Sequence, residues 1–211
     1  MLPPKPHTAV AFLLSAALLT GCVSNKPLTS VDRTKYGRAS IAPDIKLPKS
    51  YSYSDATMAG TAAVAGSFGL AGLLVGLPVL VAEANAGKKR VGGAIDRSGV
   101  QPTPIFREAF ERELKKLNHF QLVSANPDAT FKLEILNWGF DSGGAGKLAA
   151  SLSVRVQLLD RANKQIWNRF VNAVSPTNGT HEQFNADSNL YAKAFREVAE
   201  VVARKITGEW E

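Results

Sequence analysis

Between positions 100 and 207 apolar residues recur with two periods, and each switch between them marks a new element. Pro102-Thr103-Pro104 opens a helix whose Ile105, Phe106, Phe110, Leu114 and Leu117 share one face. Arg107, Glu108, Glu111, Arg112, Lys115 and Lys116 take the opposite, solvated face. Asn118-His119 closes it, Phe120 to Val123 reads as a short strand, and Asn126-Pro127-Asp128 as a turn. Phe131, Leu133 and Ile135 then alternate with Thr130, Lys132 and Glu134, a half-buried strand running toward Phe140. Asp141 to Gly146 reads as a glycine-rich loop. A second strand, Leu148 to Leu159, points Leu152, Val154, Val156 and Leu158 inward and Ser151, Ser153, Arg155 and Gln157 outward. Asp160 to Lys164 makes a hairpin turn into a third strand, Gln165 to Val174, with Ile166, Trp167, Phe170 and Val171 as its apolar positions. After a polar connection, Ser188 to Thr207 predicts a helix that buries Leu190, Ala194, Val198, Val201, Val202 and Ile206. This order predicts an α+β fold, an antiparallel sheet meander packed on two helices, within residues 91–211.

A third regime precedes that unit. The 27 residues from Ala56 to Ala82 carry no charge, a length that ordinarily suggests a membrane span. Glycine and alanine dominate, however, and Ala62, Ala65, Gly69, Gly72 and Gly76 follow one another at steps of three and four. Such a stripe lets a second backbone approach closely, and Gly72 to Gly76 is a small-xxx-small pair by itself. Each glycine costs a water-exposed helix about 1 kcal/mol relative to alanine, so lipid or close packing has to compensate. Pro78 ends or kinks the helix near Leu77, and Val79 to Ala86 can return as a shorter arm toward Lys88-Lys89-Arg90. The segment, residues 56–90, is therefore expected to be an apolar helix or helical hairpin, and it resembles the glycine-zipper regions of envelope lipoproteins. Three arrangements remain open: a hairpin that inserts or self-associates, a single span with Lys88-Lys89-Arg90 in the cytoplasm, or a helix buried against the domain.

The start of the chain is read by its processing chemistry. Lys5 supplies a positive n-region, and Ala9 to Leu19 form an apolar run too short to cross a bilayer. Leu19-Thr20-Gly21-Cys22 follows, and Cys22 is the one cysteine in 211 residues. The tetrapeptide resembles the lipobox of bacterial lipoproteins. That resemblance implies a signal peptide over residues 1–21, a diacylglycerol on the Cys22 sulfur and an acyl chain on its new amine. Buried methylenes contribute about 0.8 kcal/mol each, so three chains would hold firmly. Val23, rather than aspartate, implies an outer-membrane address in Gram-negative lipoproteins, with the domain facing the periplasm. Residues 22–55, with Pro27, Pro43 and Pro48 among polar residues, read as a lipidated flexible tether with at most a short strand near Ala39 to Ala42.

Composition narrows function by exclusion. Without a second cysteine no internal disulfide forms. The net charge of +7 suits either anionic headgroups or an ordinary solvated basic surface, and export with a lipid makes nucleic acid an unsuitable partner. His119 and His181 alone remain beyond the signal, too few for a closed zinc site without cysteine. Asp141 to Leu148 lacks the first glycine and the terminal Ser/Thr of a phosphate-binding loop. Trp138, Trp167 and Trp210 are expected at core or edge positions, Trp210 being the most exposed.

The helix from Phe106 to Leu117, the stretch Ala125 to Ile135 and the hairpin Val154 to Trp167 together resemble the α/β sandwich of periplasmic auxiliary lipoproteins. Those serve ABC-type lipid transport, lipopolysaccharide assembly or cell-wall synthase activation. The resemblance implies a non-enzymatic accessory or structural component of an envelope complex. It needs no cofactor beyond the lipid on Cys22, and it contacts the membrane through that anchor, with residues 56–82 as a second contact in the arrangements that place them in the bilayer. An envelope protein partner and a homo-oligomer both fit, and the alternative is a membrane-active oligomer or pore assembled by the glycine stripe.

Overall fold

The computed structural model describes residues 28–55, 89, 91–143 and 147–210. In chain order these form α1 (Ser30–Lys35), β1 (Arg38–Ile41), β2 (Ser52–Asp55) and a helical run at 91–98, here α2. Then come α3 (Pro102–Lys116), β3 (Gln121–Leu122), β4 (Ala129–Gly143), β5 (Lys147–Asp160) and β6 (Gln165–Thr180). Two helices, α4 (His181–Ala186) and α5 (Asn189–Thr207), complete the chain. The fold is α+β, as its periodicities predict.

β4, β5 and β6 are the expected antiparallel meander, with Ala129 opposite Asp160 and Leu158 opposite Trp167. The Asp160 carboxylate accepts from the amides of Ala162 and Lys164 and so fixes the turn between β5 and β6. Phe131, Leu133 and Ile135 meet Val154, Val156 and Leu158 on one face. α3 and α5 cover that face together, through Phe106, Phe110 and Leu114 on one and Ala194, Phe195, Val198, Val202 and Ile206 on the other. Full burial of each large side chain contributes about 1.5–3 kcal/mol.

The sheet is mixed rather than purely antiparallel, a correction to the expected meander. Its order is β3-β1-β4-β5-β6, with β2 also on β4, and β1 and β2 both run parallel to β4. Residues 28–55 are therefore not a loose tether. They lie along the second edge of β4: Ala39 against Ala129, Lys46 bridging to Glu134, and Asp55 against Ser142. Pro43 and Pro48 fall between the pairing segments of this edge, where a missing N–H costs no ladder bond. Arg107, placed by periodicity on the solvated face of α3, donates to the carbonyls of Ala42 and Pro43 and clips the edge segment down.

Further features differ from expectation. β6 continues past Val174 to Thr180, and α4 replaces the polar connection. Asp141 to Gly143 belong to β4 rather than to a loop. Trp210 is wholly buried, while Phe170 is 49% exposed.

Candidate functional site

β4 carries fifteen residues, about 45 Å at strand rise, and its two ends define two poles of the molecule. The chain enters at the β4 start, where β1 pairs with Ala129, and reaches the β4 end with β2. There the apolar stretch leaves after Asp55, and the chain is back in the fold by α2.

Both exits are held by aromatic side chains at that pole. Tyr51 sets its ring edge-on to Trp138 with centroids 6.0 Å apart. Its hydroxyl lies against the α2 backbone, 1.9 Å from where a Cβ on Gly92 would stand, so only glycine admits the contact. Burial pushes the Tyr51 phenol pKa up, and the nearby Asp96 carboxylate raises it further. Tyr53 shares a 3.2 Å hydrogen bond with His181 Nε2, the first residue of α4. Thr180 and Gln183 form a capping box that fixes α4 and hence that imidazole. Beneath them Phe140 packs on Tyr191 at 5.0 Å and on Phe184 at 5.8 Å, and Trp138 on Phe195 at 6.0 Å. The β2–β4 contact is equally tight: a Cβ on Gly139 would meet the Ser52 carbonyl oxygen at 1.9 Å. Ser52 Oγ donates to the Trp138 carbonyl at 3.2 Å.

This is a clamp. Its chemistry is aromatic packing, the Tyr53–His181 hydrogen bond and the Ser52 hydroxyl donating to the Trp138 carbonyl. Among the described residues no group of three His, Cys, Asp or Glu could hold a metal ion, and no helix is long and apolar enough to cross a membrane. The hollows are shallow. One of about 320 Å³ beside Lys35, Tyr36 and Arg161 is floored by an Arg161–Asp128 ion pair of 2.6 Å at the other pole. Another, of about 400 Å³, runs between β1 and α3 beside Arg107 and Glu111.

The residues singled out from sequence, Cys22 for lipidation and Ala62, Ala65, Gly69, Gly72 and Gly76 for helix packing, lie outside the described residues. Their surroundings are nonetheless constrained. Residues before and after the apolar stretch share one sheet and one core, so both flanks stand on the same side of any membrane. The single-span arrangement is thereby overturned, because it would divide β2 from β4. His119, just past the α3 terminus, faces the Trp210 carbonyl through Nε2 at 2.8 Å. Sequence reasoning passed over Tyr51, Tyr53, Gly92 and Gly139. The signal that could have found the tyrosines is their alternation with Ser52 and Ser54.

The fold and clamp define a class: an α+β domain that brings the two flanks of an uncharged stretch together at one end of its sheet. Among known proteins, no family profile and no curated sequence matches the chain. Several solved structures bear a distant likeness. One is a Xanthomonas campestris protein of family DUF330, at 15% identity and TM-score 0.41, covering 50% of this chain and 59% of that one. The chain thus spans about three-fifths of that protein's length. A minor lipoprotein from Acinetobacter baumannii has 15% identity and TM-score 0.43, with 82% and 90% covered. The PelC dodecamer from Paraburkholderia phytofirmans has 9% identity and TM-score 0.35, with 83% and 89% covered. The lipid and the assembly in those descriptions belong to those proteins.

Proposed function

We propose that this protein is a non-enzymatic, lipid-anchored component of the cell envelope, held on the outer membrane with its domain in the periplasm. In this reading it serves an envelope complex through that domain. The observation that carries it is the shared sheet on either side of the apolar stretch. An uncharged run of 27 residues whose flanks meet at one pole suits contact with an apolar surface. One helical crossing is incompatible with the shared sheet, and two would need about 40 residues. What fits is shallow insertion, close packing against a second glycine stripe, or a helix buried against the domain, and the first two are the ones this reading takes. The same arithmetic counts against a pore of transmembrane helices built from this stretch. Leu28, 5% exposed, is already part of the core, so five residues separate it from Cys22. Fully extended, that connection reaches about 20 Å, which keeps the lipid-bearing pole close to the bilayer.

Radiolabelled palmitate with membrane fractionation tests the reading. The wild-type chain is expected to take up label and sediment with membranes, and Cys22→Ser to lose the label. Replacing Gly69, Gly72 and Gly76 with Leu is expected to abolish detergent-stable oligomers without changing the label. An unlabelled wild-type chain found in the soluble fraction would end the proposal.

A further inference from the structure

Among the described residues β6 is the outer strand of the sheet and pairs with β5 alone. Three of its residues carry a pattern that neither core packing nor solubility requires. Phe170 is 49% exposed, Val174 is 53% exposed, and the exposed Asn172 stands between them. They lie on the sheet face away from α3 and α5, since Trp167 and Val171 of the same strand are buried. The backbone faces outward too. Lys205 at the end of α5 donates to the Asn172 carbonyl at 3.3 Å across the open edge. Strand alternation then puts the N–H and C=O groups of Phe170 and Val174 on that same edge.

We propose that this edge is an interface between two copies of the chain, with β6 pairing antiparallel to β6 about a two-fold axis at Asn172. The register is self-complementary. With Asn172 opposite Asn172 of the second copy, Phe170 falls opposite Val174 of that copy, and the reverse. All three facing pairs present both backbone groups, which gives about six ladder hydrogen bonds and two apolar cross-strand contacts. The limits of the ladder are built in. Pro176 has no N–H to offer at the next edge position, and the Thr177 amide is already taken by the Glu197 carboxylate at 3.0 Å. The contact therefore closes at two copies rather than extending into a fibre. Lys205 is the one edge guard that must swing away, and its flexible stem lets it do so. A five-residue ladder is small beside a typical stable interface, so the dimer belongs to a crowded, membrane-anchored setting. In that respect it rests on the anchoring proposed above.

A cysteine placed on the axis tests this directly. Full-length Asn172→Cys in native membranes is expected to form a disulfide dimer on mild oxidation, because facing backbones bring the two Cα atoms within disulfide range. Ala162→Cys, exposed in the β5–β6 turn, and the wild type, whose thiol is expected to be acylated, set the background. In the Asn172→Cys chain, adding Phe170→Asp and Val174→Asp should lower cross-linking roughly tenfold by opposing like charges. Phe170→Asp with Val174→Lys should restore it, since each acid then faces a base of the other copy. Cross-linking at 172 no stronger than at 162, or no rescue by the charge swap, would overturn the pairing. A failed anchor would show instead as a soluble chain, so the two failures are separable.

Discussion

Trp210 shows how a single residue escapes sequence reasoning. It is polar-flanked, between Glu209 and Glu211, yet its ring is wholly buried, 4.8 Å from Trp167 and 5.5 Å from Phe120. What holds it is non-local: its carbonyl accepts from Arg33 of α1 and faces His119. No periodicity in the last residues could signal partners 91 and 177 positions away. Tyr191 is the reverse case, a helix position whose burial was not anticipated although its neighbours' was. Its ring packs on Phe140 and Phe184, but its hydroxyl is buried without a hydrogen-bond partner. Burial raises the phenol pKa, offset in part by the Arg97 charge. The folded pKa thus lies above the unfolded one. The associated stability is complete below pH 10 and is lost as pH climbs through the folded value. Tyr191→Phe removes the orphan group and is expected to gain about 1 kcal/mol at neutral pH. Urea melts at pH 7 and above pH 10 should show that gain widening as the wild-type phenol ionises. A wild type that falls no faster than the variant would refute the assignment.

At the scale of elements, local pattern was sufficient wherever an element carries its own amphipathicity. α3, α5 and the three long strands are legible because each has a continuous apolar face that must be buried. β1 is legible as no more than the short strand expected near Ala39 to Ala42, and β2 is not legible, because a four-residue edge strand has too few alternations to stand out from a linker. Their stability comes from β4 and from the side chains that lock them. Gly139→Ala tests that dependence, since a methyl group there collides with the Ser52 backbone and must push β2 off the sheet. The amides of Tyr53 and Ser54 should lose hydrogen-exchange protection by about tenfold or more, whereas those of β5 and β6 should keep theirs. Gly139→Ser should behave alike, and Gly99→Ser, with open space around it, should move protection only near α2. Uniform loss across the sheet would mean that β2 is not a separable edge.

At the scale of the whole molecule, the candidate site was legible in chemistry but not in placement. The uncharged stretch announces itself in the sequence. That its exits lie about 40 Å along β4 from the pole at which the proposed Cys22 lipid would attach follows only from parallel pairing of residues 38–55. On the proposed function, two membrane-seeking groups at opposite poles impose an orientation. If both engage one bilayer, the long axis of the sheet must lie along the surface, because an upright domain lifts the second group clear of the lipid. Lys88-Lys89-Arg90, next to the returning leg, favour this posture through anionic headgroups. Fluorophores at Ala162 and Asn178, both exposed, report the two poles: Ala162 follows Asp160, which pairs with Ala129, and Asn178 pairs with Ala149. With the lipidated chain in anionic vesicles, a headgroup quencher is expected to reach both labels. Deleting residues 56–82 should free Asn178 from quenching while leaving Ala162 quenched, since the short connection to Cys22 is intact. Quenching at Ala162 alone in the full chain would instead mean an upright domain, its apolar excursion turned toward a partner other than the anchoring membrane.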